Sequence, residues 1–191
     1  MIKAVIFDMD GVLIDTEPLH YRCWKEILKE HYDVEFDYDI YLPCIGSTRQ
    51  FFRDLVKEHY GVDFPDLDEM NRIMKVKKSQ IVKAEGFPEM PGVENALKQL
   101  KEMGYKLAVA SSSPESEIMD AMTRLGLMPY FDSITSGDHV EHPKPEPDTF
   151  LLAAERLNVP TDNCLVIEDS TNGGRAALAA KMDCVWLHNP H

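Results

Sequence analysis

The residues best suited to do chemistry lie near the start of the chain, where Asp8 and Asp10 follow the short apolar run Ala4 to Phe7. That run is β-branched at Val5 and Ile6 and gives way at once to charge, the pattern of a buried parallel strand. Residues two apart in an extended segment point to the same side, so both carboxylates can face one small volume. Gly11 follows, where a tight turn needs no side chain. Ligands of open α/β sheets bind beyond the carboxyl ends of the strands, and two acids there suit a hard, oxygen-seeking cation such as Mg²⁺. A lone D-x-D can also be a solvated loop. The order strand, D-x-D, Gly is more specific.

Two later places repeat the arrangement, and a third candidate lies in a proline-rich loop. Ser111 is the first polar residue beyond the apolar run KLAVA, where a hydroxyl can donate to a phosphoryl oxygen or serve as a turn residue. Lys144 sits in HPKPEP, between prolines whose fixed φ restricts where its ammonium can reach. Such a cation can neutralise phosphate charge or pair with a carboxylate. Glu168 and Asp169 follow the run LVI and precede Ser170-Thr171-Asn172-Gly173-Gly174, so they can bind metal, and Asp169 or Ser170 can cap a following helix.

These residues carry a family resemblance. DMDGVLIDTEPLH resembles the first signature of the haloacid dehalogenase superfamily, in the helical-cap subgroup that includes β-phosphoglucomutase and sugar-phosphate phosphatases. The K-P-x-P context of Lys144 matches the third signature and VIEDSTNGG resembles the fourth. The core likeness runs from Ile2 to Leu187; the cap is similar only in length, helical character and location. The resemblance implies a Rossmann-like parallel sheet with helices on both faces and an inserted α-helical cap. It implies that Asp8 is a nucleophile that becomes phosphorylated and that Asp10 is general acid, then base. It implies as well that Mg²⁺ is held by Asp8, the Asp10 backbone carbonyl and Asp169, with Glu168 behind or through water, and that Ser111 and Lys144 bind phosphoryl oxygens. Dehalogenases proper need neither the second aspartate nor the metal, so Asp10 and Asp169 point to phosphoryl transfer.

Within the subgroup the expected activity is an Mg²⁺-dependent phosphatase acting on a small phosphorylated metabolite, a sugar phosphate, with cap closure leaving little room for macromolecules. A β-phosphoglucomutase-like mutase is the alternative, and a non-catalytic binding protein a third reading. His20 and Arg49 resemble mutase cap residues that contact substrate, but His20 also occurs in phosphatases sharing DTEPLH, Arg49 can equally be a surface residue, and Glu17 departs from the mutase-like pattern. Thr16, Trp24, Gly46, Ser47, Thr48 and Lys75 or Lys77 are further candidates for substrate contact.

The elements that must position these groups follow from periodicity. Helices are expected over Pro18 to Tyr32, Gln50 to Tyr60 with Phe51, Phe52, Leu55 and Val56 inward, and Leu67 to Ala84, with a short turn or helix over Asp37 to Leu42. No convincing strand lies between Thr16 and Phe87. Beyond Pro88 and Pro91-Gly92, helices (Val93 to Met103, Glu115 to Leu125, Thr149 to Leu157, Gly173 to Lys181) alternate with strands (Lys106 to Ala110, Ser133 to Ser136, Cys164 to Ile167, Cys184 to Leu187). Alternation implies a parallel sheet. The expected division is a discontinuous core, 1–15 with 88–191, and a helical cap, 16–87.

Composition bounds the partners. The 191 residues carry a net charge of −13, which disfavours a nucleic-acid or anionic-membrane surface. Four cysteines, Cys23, Cys44, Cys164 and Cys184, form no C-x-x-C pair and fit reduced thiols in the cytoplasm. No apolar run approaches a membrane span, and one Lys precedes the first strand, so no leader is expected. The sequence closes with His188-Asn189-Pro190-His191, whereas the resembled family continues through another strand and helix. Either those elements are absent, which would leave a sheet edge open to association, or the sequence is that of a truncated product; a monomer or weak dimer is expected.

Overall fold

A computed structural model describes residues 1–45 and 47–188. Gly46 and the last three residues, both singled out in the sequence, lie outside the described residues. The chain forms two compact units, Met1–Asp15 with Phe87–Pro190, and Thr16–Gly86.

The first unit is a five-stranded sheet of β1 (Ala4–Phe7), β2 (Lys106–Ser111), β3 (Ser133–Ser136), β4 (Cys164–Glu168) and β5 (Asp183–Trp186), in the order β3-β2-β1-β4-β5. Every neighbouring pair is parallel. Strand pleating sends Ala4 and Ile6 to one side, where they meet Phe150, Ala153, Ala176 and Ala177. Val5 and Phe7 go to the other, with Leu97, Ile118 and Met122. The sheet is therefore covered on both faces, by α7 (Asp148–Leu157) and α8 (Thr171–Ala179) on the first and by α5 (Val93–Glu102) and α6 (Glu115–Arg124) on the second. The chain winds from β1 outward to β3, then returns across β1 to β4. The crevice between β1 and β4 is thus the topological switch point, where ligands of such sheets bind.

The second unit is all-helical: α1 (Thr16–Tyr32), α2 (Tyr38–Tyr41), α3 (Arg49–Tyr60) and α4 (Leu67–Glu85). The Thr48 side chain caps α3 by accepting from the Phe51 amide, and Asp66 caps α4 by accepting from Glu69. Trp24 stacks on Phe52 at 4.4 Å between ring centroids, with Phe64 edge-on at 5.7 Å. Phe51, expected inward, is exposed, while Phe52 and Val56 are buried. The two rings are adjacent on α3 and point about 100° apart around it, and Phe52 is the one that stacks on Trp24. Lys77 is buried and bonds both oxygens of Glu30, at 2.7 and 2.6 Å.

Element ends moved by one or two residues from expectation. The first helix, α1, opens at Thr16 rather than Pro18, Ser111 and Glu168 are the last residues of β2 and β4, and α8 begins at Thr171. The movements at β2 and β4 matter, because sheet hydrogen bonding fixes the backbone of two candidate site residues directly.

Candidate active site

Sheet register brings the first group together. Phe7 is paired with Val109 on one side and with Ile167 on the other. One residue further on, Asp8 therefore stands between Ala110 and Glu168, and its amide donates to the Ile167 carbonyl at 3.0 Å. Asp8, Ser111 and Glu168 are all buried although polar. Burial of polar groups is tolerated only when they are paired.

Lys144 supplies the pairing. Its ammonium donates to Asp8 Oδ1 at 2.6 Å, to Glu168 Oε1 at 2.8 Å and to the Ala110 carbonyl at 2.9 Å. All three N–H bonds are used, and the Phe150 ring lies 4.5 Å from Nζ. Glu168 is anchored as firmly. Its Oε2 accepts from the amides of Asp169 and Ser170, at 2.9 and 2.7 Å, and from the Ser170 hydroxyl at 2.9 Å. Ser170 also caps α8 by accepting from the Gly173 amide. A Cβ at Gly173 would lie 1.5 Å from Glu168 Oε1, so this helix can open against the carboxylate only with glycine there.

Asp169 completes the cluster. Asp8, Glu168 and Asp169 each offer a carboxylate oxygen within 4.8 Å of the others, a donor set fit for a hard cation. Gly11 has φ +77°, and a Cβ on it would fall 1.8 Å from Asp169 Oδ2. The turn after the D-x-D is thus shaped both for its own backbone and for the approach of this carboxylate. Gly11→Ala is expected to displace Asp169 and weaken binding of a divalent cation by about tenfold or more, the scale of a lost ligand-orienting contact. Calorimetric titration of the variant with Mg²⁺ or Mn²⁺ checks this, and unchanged affinity contradicts it.

The electrostatics follow from burial. Desolvation pushes Asp8 up to about 7, with Glu168 and Asp10 adding to the rise and Lys144 opposing it. Burial pulls Lys144 down, but Asp8 and Glu168 outweigh it and hold the ammonium charged.

The Asp10 carboxylate is not one of the three that converge within 4.8 Å, though it is near enough to raise Asp8. Its Oδ2 accepts from the Ser113 hydroxyl at 3.0 Å. Ser111 Oγ accepts from the Ser113 amide at 3.1 Å. Sequence reasoning singled out Ser111 and missed Ser113; the run Ser111-Ser112-Ser113 was the available signal, but it does not say which hydroxyl meets which acid. His20, half-buried on α1, and Arg49, exposed at the start of α3, belong to the helical unit. Trp24 and Lys77, named as candidate substrate contacts, instead belong to that unit's interior.

A parallel sheet with acids at the switch point and a lysine clamped between two of them defines an α/β protein with a ligand site beyond its strand ends. The haloacid dehalogenase-like hydrolase family model matches residues 5–187, and the chain belongs to that family. It is 36% identical over 186 residues to a phosphorylated carbohydrates phosphatase of Thermotoga maritima, covering 97% of this chain and 84% of the relative. It is 35% identical over 184 residues to a fructose-1-phosphate phosphatase of Escherichia coli, covering 95% and 94%. Among solved structures, a Thermotoga maritima protein provisionally named a β-phosphoglucomutase superposes with a TM-score of 0.82 at 33% identity, covering 100% of this chain and 88% of that one.

Proposed function

We propose that the chain is an Mg²⁺-dependent phosphatase that hydrolyses a small phosphorylated metabolite, of the sugar-phosphate class, through a phosphorylated Asp8. The observation that carries this reading is the buried Asp8 carboxylate at the switch point, held 2.6 Å from Lys144 and within the cluster it forms with Glu168 and Asp169. The two phosphatase relatives support the substrate class.

The residues divide the work as follows. Asp8, Asp169 and the Asp10 carbonyl would hold the cation, with Glu168 behind them, and the cation would neutralise charge on the phosphoryl group. The Asp8 carboxylate forms a bond to phosphorus as the bond to the ester oxygen breaks. Asp10 gives its proton to that departing oxygen, then takes one from the water that attacks phosphorus and frees Asp8. Ser111 and Lys144 donate to the equatorial phosphoryl oxygens. Lys144 keeps its bonds to Glu168 and Ala110 and turns the third from Asp8 to the phosphoryl group. The helical unit Thr16–Gly86 serves as the cap of this core, with His20 and Arg49 selecting among esters. The four cysteines are free thiols, which supports a cytoplasmic protein, acting as a monomer or weak dimer. Among the described residues no helix is long and apolar enough to cross a membrane.

The test is a panel of phosphorylated sugars and other small esters, assayed for phosphate release with and without Mg²⁺. Release from at least one sugar phosphate, lost on chelation, is the expected result; no release from any ester contradicts the reading. A mutase is the second reading, favoured by the β-phosphoglucomutase-named neighbour. Isomerised glucose phosphate without free phosphate, given a trace of glucose bisphosphate, would decide for it.

The raised Asp8 gives a pH dependence with a definite sign. A carboxyl raised from 3.8 to about 7 favours the metal-free fold at low pH, and that contribution is lost as pH rises across this window. A cation needs the ionised form, so Mg²⁺ affinity should climb about tenfold per pH unit below this window's upper end and level off above it. Melting temperatures with and without Mg²⁺ should therefore separate more at pH 8 than at pH 5. Equal separation at both would contradict the Asp8 environment described.

A further inference from the structure

We infer that Ser113 is a positioning residue for Asp10, fixing which of its oxygens exchanges the proton with the ester. This rests on the phosphatase reading above. A carboxylate only accepts, so the Ser113 hydroxyl donates to Asp10 Oδ2 across the 3.0 Å contact. A donor at Oδ2 favours the tautomer in which that oxygen is the carbonyl-type acceptor, which leaves the exchangeable proton on Oδ1.

Ser113 is itself held at both backbone ends. Its amide donates to Ser111 Oγ at 3.1 Å, and its carbonyl accepts from the Ser136 hydroxyl at 2.7 Å. Ser136 is fully buried at the end of β3, and its amide is fixed in turn by His139 Nδ1 at 3.1 Å. The hydroxyl that meets Asp10 therefore hangs from a loop braced by two adjacent strands, β2 and β3. A braced donor is what a proton-transfer group requires, because small misplacements of such groups cost large factors in rate. The brace also joins two functions: Ser111, the proposed phosphoryl ligand, carries the amide of the residue that orients the acid.

In the first half-reaction the Asp8–phosphorus bond forms, the phosphorus–ester oxygen bond breaks, and the proton on Asp10 Oδ1 passes to the ester oxygen. In the second, a water oxygen bonds phosphorus, the Asp8–phosphorus bond breaks, and the water proton returns to Asp10 Oδ1. The first transfer matters for an alkoxide leaving group and little for p-nitrophenolate, which departs without a proton. Loss of orientation should therefore depend on the leaving group, whereas loss of phosphoryl binding or of folding should not.

The experiment compares kcat/KM, which covers only the steps through departure of the leaving group, for fructose 1-phosphate or another accepted sugar phosphate and for p-nitrophenyl phosphate. In Ser113→Ala the sugar-to-nitrophenyl ratio should fall about tenfold or more, within the range of general-acid contributions. Ser113→Thr, which retains the hydroxyl, should restore most of it. In an Asp10→Ala background, removing Ser113 should lower the ratio no further, because its effect runs through Asp10. An active wild type whose Ser113→Ala variant loses both esters equally, or neither, overturns this inference alone. A wild type inert toward both esters overturns the phosphatase reading and this inference with it.

Discussion

Asp8→Asn is expected to reduce phosphate release by at least about a thousandfold, the scale of losing an attacking nucleophile. The amide nearly matches the carboxylate in shape, but its nitrogen and oxygen carry no negative charge with which to attack phosphorus. The fold should survive the change. Burial already opposes the charge on Asp8, and Lys144 retains Glu168 and the Ala110 carbonyl as partners. The melting curve without metal should therefore stay close to that of the parent, while Mg²⁺ binding weakens. Turnover retained at the parent rate would remove Asp8 from the mechanism; lost turnover with a collapsed melting curve would mean that the carboxylate was needed for folding instead.

The second large effect concerns Lys144. Its side chain is 4% exposed, and those of Asp8 and Glu168 are 10% and 1% exposed. Lys144→Met would leave Asp8, Glu168 and Asp169 facing one another with no fixed cation among them. Breaking a buried pair in this way costs about 3–5 kcal/mol. Arginine is not a conservative replacement, since a planar fork cannot point at Asp8, Glu168 and the Ala110 carbonyl together. Chemical denaturation should show the loss clearly. Two rescues should follow: Glu168→Gln removes one of the uncompensated charges, and Mg²⁺ supplies positive charge to the same carboxylates. A Lys144→Met protein as stable as its parent would show that the ion pairs contribute nothing net. Activity should fall with stability, but it should stay low even where Glu168→Gln restores the fold, because the phosphoryl donor is still missing.

Much of this arrangement was legible in the sequence because each acid follows a short apolar strand. The pattern at Ala4–Phe7, then Asp8, needs no long-range information, and the same holds for Cys164–Glu168, then Asp169. What the sequence could not show was depth of engagement. Glu168 looked like a loop acid after its strand, yet it is the strand's last residue and takes four hydrogen bonds. The placement of Lys144 depended on the resemblance, since a proline-flanked lysine alone is as well explained by solvent. Ser113 was missed for a different reason: three consecutive serines after a strand have identical local signals. Only the braces from Ser111 and Ser136 decide which one meets Asp10. Steric requirements were likewise hidden. Gly11 was expected from turn geometry, but its second role, making room for Asp169, arises from a residue far away in the chain. In the helical unit, Phe51 and Phe52 were indistinguishable by periodicity, and stacking on Trp24 settled which is buried.

The most direct test is to mix the protein and Mg²⁺ with a turned-over sugar phosphate, quench in acid within one turnover, and map any phosphoryl adduct by peptide mass analysis. A phosphoryl group on the peptide carrying Asp8, absent from Asp8→Asn, is the predicted result. Undiminished hydrolysis with no adduct at any time, or an adduct on another residue, would contradict the account.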